Sequence, residues 1–160
     1  MTDDEFLRAF EDRSLTKDQQ WTHYAHLRMA YCHVKRYPYG EALDRVRRGI
    51  RALNAQLGTQ ELLQNGYHET LTVAWMRLIH ATMRGHGALE DAEAFFKKQP
   101  HLAHASVIGL FYSAGRLWTW EAKREFVEPD LLALPAAGEG DEASAAGSGW
   151  FCRRSAQPSR

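Results

Sequence analysis

The sequence predicts an all-α fold: a single compact bundle of five or six helices followed by a disordered C-terminal tail. Three observations carry this reading. Apolar residues recur at spacings of three and four, most clearly in Leu43, Val46, Ile50, Leu53 and Leu57. Helix stops punctuate the chain, with Gly58 after Leu57, Gly85-His86-Gly87 further on and Pro100 after Lys98. Strand signals are missing, with neither sustained alternation nor an Asn-Gly or Asp-Gly hairpin between β-branched runs.

Each element follows in order. Phe6, Leu7 and Phe10 share a face and predict a short opening helix. Thr16-Lys17-Asp18-Gln19 reads as a capping box, so a second helix is expected from there to about Lys35, ending at Tyr37-Pro38-Tyr39-Gly40. Its stripe is His23, His26, Leu27, Ala30 and Val34. A third helix spans about 41–57, with Glu41 four residues before Arg45 and Asp44 three and four before Arg47 and Arg48 as surface pairs. The polar stretch 58–66 leads to a fourth helix over about 67–83, whose expected core face is Leu71, Trp75, Leu78, Ile79 and Thr82. Helices over about 89–98 and 102–111 follow, then a looser segment through Trp118, Trp120 and Phe126 to the break at Val127-Glu128-Pro129-Asp130. Residues 1–135 form the expected helical domain. Residues 136–160, rich in Ala, Gly, Ser and Glu, read as a low-complexity tail in which Trp150 and Phe151 are stray aromatics.

Composition narrows the function classes. The chain has 160 residues, suited to one domain. Lys plus Arg and Asp plus Glu both number 20, so no net charge draws the chain to nucleic acid or an anionic membrane, and neither is expected as a partner. The opening MTDDEFLRAF lacks the pattern of a signal peptide, and no apolar run reaches the roughly 20 residues that span a bilayer. With only Cys32 and Cys152, no disulfide framework or Cys-based zinc motif is present, and the expected location is the cytoplasm. P-loop, dinucleotide-binding and nucleophile-elbow motifs are absent from the sequence.

The chemistry-bearing residues are the histidines of WTHYAH and GYHET. His23 and His26 lie three apart and project from one side of a helix, one turn apart. His68 and Glu69 open another helix, with His68 three before Leu71 and seven before Trp75, on the core-facing side. If those helices pack together, His23, His26 and His68 converge, with Glu69 or Glu11 as oxygen donor, a set that suits zinc or non-haem iron. The competing reading makes the imidazoles structural pins. A histidine at a helix N-terminus stays neutral because the dipole disfavours its cation, and it can then bond a carbonyl of a neighbouring element. The structural reading ranks first. Trp21 and Tyr67 flank the same histidines, so a cavity there would be aromatic-walled. Tyr24, Tyr31 and Trp75 read as core. His33, His80, His86, His101 and His104 read as surface or capping residues, and Arg45, Arg47, Arg48 and Arg51, with Lys35 and Arg36 nearby, as a solvated, salt-bridged face ahead of a basic face for an anion or an acidic partner.

Three segments together, Trp21–Tyr31, Gly66–Thr72 and Phe126–Leu131, resemble a group of small bacterial all-helical proteins. In that group a His-x-x-His-Leu segment precedes Tyr-His-Glu-Thr and a Glu-Pro-Asp close. The resemblance spans about residues 5–135. It implies no activity, cofactor or partner, and it singles out His23, His26, His68 and Glu69. Two functions are therefore expected from the sequence. The first is a non-catalytic interaction or regulatory protein with a protein or small-molecule partner. The second is a histidine-lined aromatic pocket that binds a divalent metal or small ligand, with catalysis left open.

Overall fold

The computed structural model describes residues 1–16 and 21–137. Seven α-helices are present among them: α1 (Asp3–Glu11), α2 (His23–Arg36), α3 (Tyr39–Gln56), α4 (Glu69–His86), α5 (Ala92–Lys98), α6 (Ala114–Leu117) and α7 (Trp120–Arg124). Two 3₁₀ helices, Pro100–Ala103 and Ala105–Leu110, stand where the sequence suggests one sixth helix. Pro100 opens the first of them, at a position where a helix makes no use of the missing amide. Among the described residues no strand forms, only an isolated bridge between Leu62 and Asn65. The all-α expectation holds, with more and shorter pieces than five or six. The tail from 138 onward, with Trp150, Phe151 and Cys152, lies outside the described residues.

The start of α2 differs from expectation. Its cap is Thr22, whose hydroxyl accepts from the Ala25 N–H at 3.3 Å. Thr16 instead accepts the Trp21 N–H through its carbonyl, at 3.1 Å. Gln19 lies outside the described residues. A capping box does form, at the start of α1 between Thr2 and Glu5.

The core sits where α2, α3 and α4 pack against one another, with α1 across α2 and α3 and α5 along α2. Helix α2 is buried on nearly every side, from Ala25 through Val34 with few breaks. His33 is therefore not a surface residue: it is 1% exposed and its Nδ1–H donates to Met29 O at 2.8 Å, satisfying the buried ring. Tyr31, fully buried, stacks on Phe95 at 4.6 Å, and its hydroxyl donates to Leu89 O at 2.8 Å while accepting from the Leu89 N–H at 3.0 Å. Asp3 ties three elements together by accepting from Arg28 Nε at 2.7 Å and from the Ala92 N–H at 2.8 Å. No described helix is long and apolar enough to cross a membrane.

The charged pairs on α3 form as expected between Glu41 and Arg45 and between Asp44 and Arg47, but Arg47 also reaches inward to the buried Glu69 of α4. The α4 face is rotated from the expected one. Val73, Ala74, Met76, Leu78 and Ile79 are buried, whereas Leu71, Trp75 and Thr82 are half-buried.

After α5 the chain returns to the start of α4. Thr70, fully buried, donates to Glu125 O at 3.0 Å and accepts from the Val127 N–H at 3.1 Å. Tyr112 donates to Val127 O at 2.8 Å, and Asp130 accepts from the Ser113 N–H at 2.8 Å. The Glu-Pro-Asp break thus fastens the C-terminal segment to the beginning of α6.

Gly49 lies where the Phe10 ring of α1 packs on α3. A Cβ there would lie 2.3 Å from the buried Phe10 ring. Gly49→Ala therefore lowers stability in urea unfolding, because overpacking costs about 1–3 kcal/mol and exceeds the roughly 1 kcal/mol that alanine returns in helix propensity.

Candidate functional site

Between α2, α3, α4 and the 58–68 loop lies a cavity of about 350 Å³. Leu27, Val46, Ile50 and Met76 make its apolar floor, and Trp21, Trp75 and Tyr67 its ring-bearing walls. His23, His26 and His68 all line it, as do Thr22 and Thr72. The structure thus brings together five of the six residues singled out from the sequence: Trp21, His23, His26, Tyr67 and His68.

Each of the three histidines rests against a different tryptophan. His23 meets Trp75 edge-on at 5.4 Å, His26 lies over Trp21 at 4.0 Å, and His68 meets Trp118 edge-on at 5.6 Å. These contacts hold the rings in orientation.

His68 has a fixed tautomer. Its Nδ1 accepts from the Leu71 N–H at 3.3 Å, capping α4, and a backbone N–H can only donate. Its Nε2–H therefore donates to Leu117 O at 3.2 Å, tying α4 to the end of α6. Both nitrogens are committed. Burial is the main cause that holds its pKa below the ordinary value, as expected for an imidazole in this place.

His26 is different. Its Nδ1–H donates to Thr22 O at 2.7 Å, which leaves Nε2 as an acceptor with no partner among the described residues. Burial, first, and then the neighbouring His23 keep it neutral. His23, exposed at the rim, makes no hydrogen bond among the described residues, and burial of its ring lowers its pKa as well. The cavity presents neutral imidazoles at neutral pH.

Glu69 does not join them. It is buried, and its carboxylate accepts from Arg47 Nε at 2.9 Å, from Arg47 Nη2 and from the Tyr67 hydroxyl at 2.6 Å, with Arg51 at 3.9 Å. Both oxygens are bound. Burial and this carboxylate together push the Tyr67 pKa upward, so Tyr67 remains a phenol. Glu11, the other candidate oxygen donor, is exposed and lines a separate cleft beside His33. The four ligands expected for zinc or iron are therefore not assembled. With His68 and Glu69 already satisfied, His23 and His26 alone remain, and no group of three or more His, Cys, Asp or Glu side chains among the described residues is placed to hold a metal ion.

The loop that carries Tyr67 and His68 is held by groups with no sequence signature. Lys123, only 5% exposed, donates to Asn65 O at 2.7 Å and Tyr67 O at 2.6 Å and pairs with Glu61 at 3.0 Å. Glu61 also accepts the Tyr67 N–H at 3.0 Å. Gly66, at φ +86°, lies so close to the Glu61 carboxylate that a Cβ would come within 2.5 Å of it. Glycine is required there for both its backbone and its lack of a side chain.

No family model matches this chain. No curated protein and no solved structure matches it either. The chemistry of the cavity itself carries the functional reading.

Two outcomes follow. His68→Ala strips the cap of α4 and orphans Leu117 O, lowering stability in urea unfolding by about 2–3 kcal/mol, while His68→Asn restores the cap and recovers about 1 kcal/mol of that loss. The second concerns pH. His23, His26, His33 and His68 all have folded-state pKa values below the ordinary 6.5, each chiefly through burial. Below pH 6.5 the unfolded chain takes up protons that the folded chain refuses. Their contribution is thus complete above that pH and is lost as pH falls below it. Thermal midpoints measured from pH 7.5 to 5.5 fall accordingly, and His33→Gln reduces the slope.

Proposed function

We propose that this protein binds a compact, uncharged, largely apolar small molecule in the cavity between α2, α3 and α4, with one hydrogen-bond donor of the ligand directed at His26 Nε2. The observation that carries the reading is a cavity of about 350 Å³ with apolar floor and aromatic walls, edged by an imidazole whose second nitrogen has no partner among the described residues. Interiors are packed with few voids larger than a water molecule, and small-molecule sites are typically apolar with a few placed polar groups. Neutral histidines favour an uncharged ligand over an anion. Of the two functions expected from the sequence, this geometry supports the small-ligand reading ahead of the interaction protein. The histidines then have divided duties, with His68 bracing the loop and His26 meeting the ligand.

The probes are p-cresol and indole, each a ring with one donor. Calorimetry is expected to give saturable binding of at least one at pH 8. His26→Phe, which keeps the ring contact with Trp21 and removes the acceptor, weakens it about tenfold, the worth of roughly one well-placed hydrogen bond. Leu71→Trp, which fills the cavity from α4, abolishes binding. Affinity stays level between pH 8 and 7, where burial keeps His26 neutral and its Nε2 free to accept. If neither probe saturates, or if Leu71→Trp binds as the parent does, this reading is overturned.

A further inference from the structure

A second cavity, of about 600 Å³, lies on the other side of Tyr67, and its chemistry is the opposite of the first. Its lining is Arg51, Glu61, Tyr67, Trp120, Lys123 and Arg124. Three cations face one carboxylate, leaving two positive charges unbalanced in the lining. Outside the lining, Glu69 lies 3.9 Å from Arg51, but Arg47 already holds that carboxylate with two donors.

The cations divide by role. The hydrogen-bonding capacity of Lys123 is taken by Asn65 O, Tyr67 O and Glu61, so it supplies fixed charge. Arg51 and Arg124 supply donors. Arg51 lies over the Tyr67 ring at 4.3 Å and Arg124 over the Trp120 ring at 5.4 Å. Arg51 makes no hydrogen bond among the described residues, and Arg124 neither a hydrogen bond nor an ion pair. Stacking restricts each guanidinium without using its N–H groups, a pre-organised state for two forked contacts to an oxyanion. Trp120 is 46% exposed, an unusual position for an indole in a short helix whose next turn carries the buried Lys123. The indole lines the same cavity, an exposed aromatic surface on which a flat group can stack.

We propose that this cavity binds the phosphoryl group of a small phosphate monoester between Arg51 and Arg124, with the ester's ring stacked on Trp120. A phosphate dianion matches the two unbalanced positive charges, and its three terminal oxygens accept from both guanidinium forks. The site is separate from the apolar cavity, and neither proposal depends on the other.

The test uses inorganic phosphate and phenyl phosphate with the full chain, by calorimetry at constant ionic strength. Phenyl phosphate is expected to bind saturably and more tightly than inorganic phosphate. Arg51→Gln and Arg124→Gln each weaken phenyl phosphate about tenfold, the loss of one charge-assisted contact. Arg48→Gln, an exposed arginine outside the site, leaves both ligands unaffected, as does Leu71→Trp in the apolar cavity. Trp120→Leu weakens phenyl phosphate and spares inorganic phosphate. Arg124 is exposed at the end of α7, so its variant folds even if Arg51→Gln does not. The proposal is overturned if phenyl phosphate does not saturate, if Arg48→Gln weakens binding as much as Arg124→Gln does, if Leu71→Trp alone abolishes binding, or if Trp120→Leu leaves phenyl phosphate unchanged.

Discussion

The buried ammonium of Lys123 is the constraint on which the rest of the molecule depends. A charge removed from water needs close compensation, and this one has two carbonyl oxygens and a carboxylate within 3.0 Å. Those partners belong to the 58–68 loop, whereas Lys123 belongs to α7, near the end of the described chain. Folding therefore brings the last helix back onto the loop between α3 and α4. With the loop fixed, Tyr67 and His68 have only one place to go. The wall of the apolar cavity, the cap of α4 and the floor of the basic cavity all follow from that one anchorage.

A second set of ties works alongside it. Thr70, Tyr112 and Asp130 are each bonded to backbone some 15 to 57 residues away, and Tyr31 bonds Leu89 across 58. These bonds join irregular segments that have no regular ladder of their own. Short helices such as α6 and α7 are too short to be stable in isolation, and such side-chain bonds hold them in the fold. Polar side chains thus do in the C-terminal third what apolar stripes do in α2, α3 and α4.

Much of this was legible in the sequence, and the exceptions have physical causes. The spacing of Leu43, Val46, Ile50 and Leu53 defined α3 because a single helix face was buried. Helix α2 is buried almost all round, so its stripe understated the core and His33 passed for a surface residue. Trp21, His23, His26, Tyr67 and His68 could be grouped in advance because aromatic and imidazole side chains shared one predicted packing surface. Glu69 could not be separated from them, since its capture by Arg47 and Tyr67 depends on how α3 docks against α4. Of the basic cavity only Arg51 stood out, as one of an arginine cluster that read chiefly as a solvated helix face. Lys123 is far in the chain from Arg51 and Glu61, and its meeting with them depends on how α7 docks on the 58–68 loop.

Tyr67 borders both cavities. One lining is apolar and aromatic, the other cationic, and a single side chain belongs to both. A substitution at Tyr67 therefore reaches both linings at once, together with the buried Glu69 that ties α4 to Arg47 of α3.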